Sequence, residues 1–416
     1  MSLTPIQYPT SVYPANNYMF VVADPSNAYS AITDYYVQFE VFNADTNTSL
    51  IKNNVKVYPN VYNGYAVFDI HKVLNNTVSN DIKPILGSLG FYSSQYGFTK
   101  YNVNAYEFSG ATPLTTYLNF CSGYTFDGVV DRNTTWNQNA FVTTTPGARF
   151  LTNWTYPYYV RVNDRHALSF WNSFTQQYKM VLNVNKPDGS TVLAWTLTSP
   201  VSGGTTLDHL QYFGSGYYEV DHTLWTGATL YSGILTSNSA VSYTLQLYSV
   251  NHSLPWNPVS EIAEYIVDND CTLIENMELM WQNEMGGYDF YTFYRERHKS
   301  WKTEKTTYDK IDYSYSNGQI VTQEYSAGET ILTNKVTTHY KVRSKVLDND
   351  MSVNLAGIFL SKNVYWLHKL TTSDTVEYNP IIIDDESYEV MNNYNRPNRA
   401  IYEFTFRLSN EKNTIQ

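Results

Sequence analysis

The residues best suited to catalysis or metal binding are scattered along this chain. None of the spacings HxH, HxxxH or HExxH, which bring two imidazoles to one metal, occurs among its eight histidines. The two Asp-His dipeptides, which begin at Asp208 and Asp221, place neighbouring side chains on opposite faces of a strand, so neither predicts a dyad. We therefore predict neither a zinc site nor a catalytic histidine. The histidines are His71, His166, His209, His222, His252, His298, His339 and His368.

Acidic clusters are the second place where chemistry could reside, and they occur at 268–270, 348–350 and 384–386. Paired carboxylates hydrolyse glycosides only at a set separation, which a sequence does not give. No cluster has the calcium-loop pattern D-x-[DN]-x-[DN]-G, and turns and a helix cap explain all three. The stretch FGSGYY (213–218) lacks the spacing of a nucleophile elbow. We predict no catalytic residue, no cofactor and no metal, and interpret the chain as a non-enzyme.

The elements that must position these residues are predicted to be mainly β-strands. The 416 residues include 39 Tyr, and Tyr, Thr, Val and Phe favour pleated surfaces, whereas Asn, Ser and Gly favour turns. Only 16% of residues are charged and the net charge is −11. This balance argues against nucleic-acid or anionic-membrane binding over the whole surface, although it allows a local basic patch.

Membrane insertion and a disulfide framework are not expected. No stretch approaches the roughly 18 apolar residues of a membrane span. The first twenty residues lack the basic and apolar regions of a secretory signal. Two cysteines, Cys121 and Cys271, are too few for a disulfide framework in a chain of this length, so both are expected to be reduced thiols.

Strand and turn spacing predicts two tandem β-sandwich domains of the immunoglobulin-like kind, at 1–120 and 150–257. Three segments repeat in order, although chance similarity between β-rich segments is the alternative. Residues 121–149 are polar, and are interpreted as an arm that embraces a neighbouring subunit or as a flexible linker. The repeated pairs are YVQFEVFNADTNTSLI with YKMVLNVNKPDGSTVL, GYAVFD with GYYEVD, and YNVNAYEF with YTLQLYSV.

Residues 258–416 are predicted to form a β-rich C-terminal domain with one short helix. Asp348–Asp350 provide an N-cap before apolar residues at helical spacing, starting at Met351. The stretch MWQNEMGGYDFYTF (280–293) predicts a β-hairpin in which glycines supply positive φ. We expect Asp289 to hold this turn through bonds from its side chain to the backbone.

The segment YRERHKSWKTEK contains the main concentration of basic residues. Arg295, Arg297 and Lys299 alternate, so a strand would place all three on one face. One interpretation is a solvated strand face. The other is a basic stripe that faces DNA or an acidic neighbour.

The hairpin pattern L-x-W-x-N-x-x-G-G-x-D-x-x-x-F resembles a signature in tail proteins of phages that infect Bacteroidetes, including crAss-like phages. The helix segment DNDMSVNLAGIFLS, the strands NVYWLHKL and NPIIIDD, and the closing AIYEFTFRLSN are similar to the C-terminal unit of those proteins. Glu284 departs from the pattern, since the family often has a basic residue there. The signature residues are Leu279, Trp281, Asn283, Gly286, Gly287, Asp289 and Phe293.

This resemblance implies a virion structural protein, a tail or neck subunit that assembles in the host cytoplasm into a homo-oligomeric ring around the DNA channel. It implies twelve copies in a portal-proximal ring and, less favoured, six in a distal one. Adjacent tail or portal proteins are the implied partners, with non-specific DNA contact in the channel. Two alternatives stay open: a receptor- or glycan-binding tail component, and a capsule-degrading tail enzyme.

Overall fold

The described part of the chain is mainly β, as predicted, with sheets paired as sandwiches. The chain divides into two compact units, one of residues 1–269 with 282–290 and the other of 270–281 with 291–416. No helix among the described residues is long and apolar enough to cross a membrane. The computed structural model describes residues 3–9, 11–25, 29–51, 55–79, 90–94, 96–114, 118–129, 136–141, 147–162, 164–172, 178–197, 210–226, 232–249, 257–269, 276–293, 296–310, 313–322, 328–369, 376–384, 401–410 and 414–415.

The first sandwich packs a three-stranded sheet, in the order β1-β3-β7, against a seven-stranded sheet with the main order β2-β11-β9-β4-β5. Alternate residues of β4, such as Phe39 and Val41, meet Val21 of β3 in a dry core. The strands are β1 (Thr4–Gln7), β2 (Val12–Pro14), β3 (Phe20–Asp24), β4 (Tyr35–Asn43), β5 (Thr48–Ser49), β6 (Val55–Val57), β7 (Ala66–Asp69), β9 (Phe98–Ser109), β10 (Thr112–Pro113) and β11 (Leu118–Phe126). Between β7 and β9 in the chain lies β8 (Phe91–Ser93), which belongs to the second sandwich. A short helix α1 (His71–Leu74) follows β7, and a 3₁₀ turn spans Tyr29–Ala31.

The second sandwich has a main sheet in the order β12-β19-β17-β14-β15 and a smaller one in the order β13-β16-β8. Its strands are β12 (Tyr158–Val160), β13 (Ala167–Trp171), β14 (Tyr178–Asn185), β15 (Thr191–Leu197), β16 (Leu210–Gly214), β17 (Ser242–Ser249), β18 (Asn257–Pro258) and β19 (Ala263–Val267). Helices α2 (Tyr217–His222) and α3 (Ile234–Ser237) follow β16, and a 3₁₀ turn at Gln138–Ala140 precedes β12.

The two main sheets have the same strand order, and this equivalence supports the predicted internal repeat. In each, the first strand pairs in parallel with the last strand, β2 with β11 and β12 with β19. The hairpin β4–β5 corresponds to β14–β15, and β9 to β17, as two of the three sequence pairs predict. The third pair is wrong, because GYAVFD contains strand β7 whereas GYYEVD forms helix α2. Strand β16 is the equivalent of β7.

Two of the predicted domain boundaries move, and one strand of the predicted first domain belongs to the second sandwich. Strand β8 lies within the predicted first domain but pairs with β16 of the second sandwich. Residues 121–126, assigned to the polar excursion, belong to β11 and pair with β9. Strand β19, assigned to the C-terminal domain, pairs with β17 of the second sandwich. In each case, hydrogen bonds to another strand decide which sandwich a strand belongs to. The composition of the strand itself does not indicate this partner.

The C-terminal unit is built on a sheet with the order β21-β20-β26-β27-β28-β25-β22, with β29 on β25 and a separate β23–β24 hairpin. Helix α4 (Asn349–Leu360) confirms the predicted helix, and Asp348 caps it by accepting a 2.8 Å bond from the Met351 N–H. The strands are β20 (Met277–Gln282), β21 (Tyr288–Phe293), β22 (Glu296–Asp309), β23 (Tyr313–Ser316), β24 (Gln319–Thr322), β25 (Glu329–Arg343), β26 (Val364–Lys369), β27 (Val376–Ile383), β28 (Glu403–Leu408) and β29 (Thr414–Ile415).

Candidate functional site

The hairpin signature is a packing element. Strands β20 and β21 flank the predicted turn, and every residue of both strands is buried. Leu279 and Trp281 have no exposed surface, and a Cβ placed on Gly357 of helix α4 would lie 3.2 Å from the Trp281 indole nitrogen. Phe293 packs edge-on against Phe404. These contacts leave no opening at the signature aromatics for a ligand.

The turn itself is held by Asn283. Its side-chain oxygen accepts 3.0 Å bonds from the N–H groups of Met285 and Gly287, and its amide nitrogen donates to the Leu151 carbonyl at 2.9 Å. Gly286 has a φ of +77°, the left-handed conformation that glycine adopts without strain. A Cβ on Gly287 would lie 2.0 Å from the Leu151 carbonyl oxygen, so only glycine fits there.

Asp289 does not hold the turn, which corrects the sequence prediction. It is buried, and its Oδ1 accepts a hydrogen bond from the Thr152 hydroxyl, far away in sequence. Burial raises the pKa of Asp289 to about 6, although hydrogen bonds, led by that from Thr152, oppose the shift. Asn283 takes the role expected of Asp289 because its side chain lies closer to the turn N–H groups.

A buried polar cluster surrounds His166 in the second sandwich, and sequence reasoning did not find it. Arg165 Nη1 lies 3.2 Å from Glu219 Oε1, and its guanidinium stacks 3.4 Å from the centre of the Tyr218 ring. The backbone N–H of His166 donates to Glu219 at 3.3 Å. Burial raises the pKa of Glu219 to about 7 and lowers that of His166 to about 3. The signal in the sequence was two polar residues, Arg165 and His166, at the start of an apolar strand.

Beside this cluster is a cavity of about 10 Å³, which is the space that one water molecule needs. His166 stacks on Phe290 at 5.0 Å, and three tyrosines, Tyr158, Tyr265 and Tyr288, line part of the remaining wall. The buried tyrosines have raised pKa values because their burial disfavours the phenolate, as at Tyr158 and Tyr243. A space this small accommodates no organic substrate, so the cluster is suited to fixing the core.

Two other histidines lie beside carboxylates. His71 Nδ1 lies 2.6 Å from Asp69, His339 Nδ1 lies 3.0 Å from Asp384, and Asp384 also accepts from Arg407 at 2.9 Å. Among the residues that the structure describes, no group of three His, Cys, Asp or Glu side chains could hold a metal ion. Cys121 is a free, buried thiol whose pKa burial raises to about 12. His209, His252 and Cys271 lie outside the described residues.

The predicted basic stripe is partly described. Arg295 lies outside the described residues, while Arg297 and Lys299 stand two apart on β22, opposite Val342 and Tyr340 of β25. Strand alternation adds Lys305 to the same side. No acidic residue occupies that side of the β22–β25 pair from position 297 to 305 or from 334 to 342. The stripe is therefore longer than predicted.

Strands β22 to β25 form a feature that sequence reasoning missed, which we call the ribbon arm. Every residue from His298 to Lys310 and from Tyr313 to Val321 is exposed. In the described part of the chain, β25 pairs with β28 at residues 339–343 and with β29 at 334–335. Large apolar side chains are exposed along it, with Trp301 73% and Tyr315 75% accessible. The other exposed apolar residues are Tyr308, Tyr313, Ile320, Val321, Ile331 and Leu332.

The chain matches no protein-family model and no curated protein. Among solved structures it is similar to a Dpr2 Ig1-Ig2 complex with DIP-Theta Ig1-Ig3, at 9% identity over 82% of this chain and 94% of that chain, with a TM-score of 0.17. Squid arrestin is matched at 6% identity over 62% of this chain and 92% of that chain, with a TM-score of 0.14. TM-scores this low support no conclusion about fold or function.

Proposed function

We propose that this chain is a structural subunit of a bacteriophage tail or neck, which assembles into a homo-oligomeric ring around the DNA channel. The observation that carries the proposal is the ribbon arm. The resemblance of the hairpin signature to phage tail proteins supplies the biological setting. No catalytic role is assigned to any residue.

The ribbon arm has the character of an assembly element. A two-stranded ribbon in water is marginally stable, and one that exposes several large apolar side chains gains stability when another protein covers it. Aromatic and aliphatic residues of this kind anchor protein interfaces. When one patch contacts a different patch on the next copy, repeated contacts close into a ring if the rotation allows.

The charge distribution fits a ring that surrounds DNA. The chain as a whole carries a net charge of −11, which disfavours general nucleic-acid binding. Against that background, the side of β22 that carries Arg297, Lys299 and Lys305 has no acidic residue from position 297 to 305. A basic stripe that faced the channel would make non-specific phosphate contacts. Trp301 lies on the same side of β22 as these basic residues, so this side combines charge for phosphates with an exposed aromatic residue for a neighbouring copy.

The test is the oligomeric state of the purified full chain. We expect rings by negative-stain electron microscopy, with twelve copies favoured over six. Replacing Tyr315, Ile320 and Leu332 with Ser removes apolar contacts from exposed positions and is expected to abolish rings without lowering the melting temperature. A matched control replaces Val61 and Tyr62, which are 94% and 98% exposed in a loop of the first sandwich, with Ser. Monomeric wild-type protein, or rings that survive the arm substitutions, would contradict the proposal.

A glycan-binding tail component is the second candidate, and one observation favours it. The same loop presents Tyr58 and Tyr62 to solvent, and aromatic rings stack on sugars. A glycan array with wild type and Tyr62→Ala tests this function. Binding that requires Tyr62, in a chain that forms no rings, would favour it over the ring. A hydrolase assay on host capsule tests the third alternative, a capsule-degrading enzyme.

A further inference from the structure

The outer edge of β22 is an open strand edge. In the described part of the chain, β22 is the last strand of its sheet and pairs with β25 alone, from Glu296 to Asp309. The side chains from His298 to Lys310 are all exposed. A long edge of this kind presents a row of backbone N–H and C=O groups that can pair with another strand.

Antiparallel pairing of β22 with a copy of itself restricts the possible registers. Along a strand, alternate residues direct their N–H and C=O groups outward, so outward residues must face outward residues. Paired residues then lie an even number of positions apart, and a two-fold axis passes through one residue. Each choice of axis fixes every cross-strand pair along the edge.

An axis at Thr303 makes every charged pair complementary. Lys302 then faces Glu304, and Trp301 faces Lys305 in a cation–π arrangement. Thr303 faces its own copy, a favourable hydrogen-bonding pair. The remaining charged pair within β22 is Arg297 with Asp309.

Each neighbouring axis position brings like charges together. An axis at Lys302, Glu304 or Lys305 places that residue opposite its own copy. An axis at Ser300 pairs Glu296 with Glu304, and an axis at Trp301 pairs Arg297 with Lys305. Like charges directly opposite each other are destabilising. Among axis positions 300 to 305, only Thr303 avoids them.

We propose that β22 pairs antiparallel with β22 of a second copy of this chain, about a two-fold axis at Thr303. The contact is isologous, so the same patch serves both copies. It differs from the heterologous contact that closes a ring, and it does not depend on the ring proposal. If both contacts exist, the two-fold pair joins two rings face to face and makes the copy number even.

Cysteine cross-linking tests the axis directly. In the full chain with Cys121→Ala and Cys271→Ala, Thr303→Cys is expected to form a rapid intermolecular disulfide, because its Cβ atoms face each other. Lys299→Cys and Thr307→Cys are matched controls, since each faces the other and lies about 26 Å from its own copy. Neither is expected to cross-link alone, but a mixture of the two is expected to do so. Thr303→Cys cross-linking no faster than Lys299→Cys alone would overturn the proposal.

Charge reversal tests the register independently. Lys302→Glu or Glu304→Lys alone creates two like-charge pairs in the dimer, and we expect the dissociation constant from sedimentation equilibrium to rise about tenfold or more. The double variant restores opposite charges across the dimer, and its dissociation constant is expected to lie within about threefold of the wild-type value. The melting temperature should be nearly unchanged for Lys302→Glu, which loses an exposed ion pair with Glu304 and stands opposite Thr337. It should fall slightly for Glu304→Lys, which stands opposite Lys335 of β25. A double variant as weak as the single ones would contradict the register.

These variants leave Tyr315, Ile320 and Leu332 untouched, so the two proposals fail separately. If Thr303→Cys forms no intermolecular disulfide while the full chain still forms rings, the two-fold contact is refuted and the ring proposal stands. Loss of rings in the apolar variant with intact cross-linking at Thr303 would refute the ring and leave the two-fold contact.

Discussion

Burial governs the titration of the polar side chains in the second sandwich. Glu219 and Asp289 are carboxyl groups whose pKa values rise because water is excluded from them, while His166 is kept neutral for the same reason. The raised pKa values of Glu219 and Asp289 make the folded state bind protons more tightly than the unfolded chain. The lowered pKa of His166 makes it bind a proton less tightly, so both a rise and a fall in pH act on the stability of this polar core.

Asp289→Asn isolates one of these contributions. The folded pKa of Asp289 is about 6 and its ordinary value is 3.8, so it contributes stability that is fully present below pH 3.8 and lost as pH rises through about 6. The total is on the order of 3 kcal/mol. Urea unfolding at pH 4, 5, 6 and 7 should show wild type losing stability relative to Asp289→Asn as the pH rises. If the difference in free energy of unfolding between wild type and Asp289→Asn does not change with pH, the assigned pKa is contradicted.

Gly287→Ala is expected to destabilise the protein strongly. A methyl group there would stand 2.0 Å from the Leu151 carbonyl oxygen, so backbone must move, at a cost of about 3 kcal/mol. Gly189→Ala is the matched control, because φ there is +81° but nothing lies within 4 Å, and strain alone costs about 1 kcal/mol. Thermal unfolding measures both. Equal losses would show that close packing at Gly287 is not decisive.

At the residue scale, the sequence predicted the hairpin and its glycines but not which polar side chain closes the turn. Asn283 and Asp289 are both suitable turn residues by type. Asp289 accepts a hydrogen bond from Thr152 on a distant segment, while Asn283 accepts from the N–H groups of the turn. Tertiary contacts of this kind have no local signal, and the Arg165–Glu219 pair was missed for the same reason.

At the element scale, helix α4 and strand β22 show two different sources of stability. Helix α4 has its cap at Asp348 and buries Leu355 and Ile358 completely, so local signals and packing agree. Among the residues that the structure describes, strand β22 pairs with β25 alone, and it exposes its side chains from His298 to Asp309. Helix α4 can therefore be predicted from its own residues, whereas the stability of β22 depends on the protein surface that packs against it.

Asp348→Ala should destabilise helix α4 by about 1 kcal/mol, because the Met351 N–H loses its acceptor. Asp348→Asn keeps an oxygen acceptor and should stay close to wild type. Chemical unfolding of the three proteins tests the cap. An Asn variant as unstable as the Ala variant would show that charge at the helix N-terminus matters more than the hydrogen bond.

The basic stripe should determine DNA binding by the assembled protein. Replacing Arg297, Lys299 and Lys305 with Gln is expected to weaken retention of duplex DNA and to flatten its salt dependence, by about 0.9 in logarithmic slope for each phosphate that is no longer neutralised. Filter binding across a range of salt concentrations measures both effects. The control variant replaces with Gln three lysines outside the ribbon arm, Lys56, Lys72 and Lys186, and so loses the same charge. If DNA retention and its salt dependence change equally in both variants, the effect is one of net charge and the stripe has no special role.

Element types were predicted well where a segment has one dominant periodicity, as in β4, β14 and helix α4. GYYEVD was predicted wrongly because its likeness to GYAVFD rests on Gly, Tyr and Asp, which are compatible with either a strand or a helix start. Its Gly216 stands just before helix α2, and a Cβ there would lie 2.4 Å from the His166 backbone nitrogen. Packing against the His166 backbone fixes where Gly216 and the start of helix α2 lie, and the sequence does not reveal this contact.

At the scale of the whole molecule, the repeated strand order is the strongest agreement between sequence and structure. Two weak sequence pairs were enough to predict tandem sandwiches, because hairpins β4–β5 and β14–β15 occupy equivalent places in equivalent sheets. Domain boundaries were less predictable, since each depends on a strand that pairs far from its sequence neighbours. The ribbon arm was invisible because exposed and buried strands share the same β-forming residue types.

Strand β8 has a consequence for synthesis of the protein on the ribosome. Ser93 and its partner Gln211 are 118 residues apart along the chain, so β8 leaves the ribosome long before β16 exists. At roughly 5–20 residues per second, β8 waits about ten seconds for its partner. During that interval Phe91, which later packs against Phe170 and Phe213, remains available to chaperones and to other nascent chains. A ribosome pause between β8 and β16 should therefore promote aggregation more than a pause after β16.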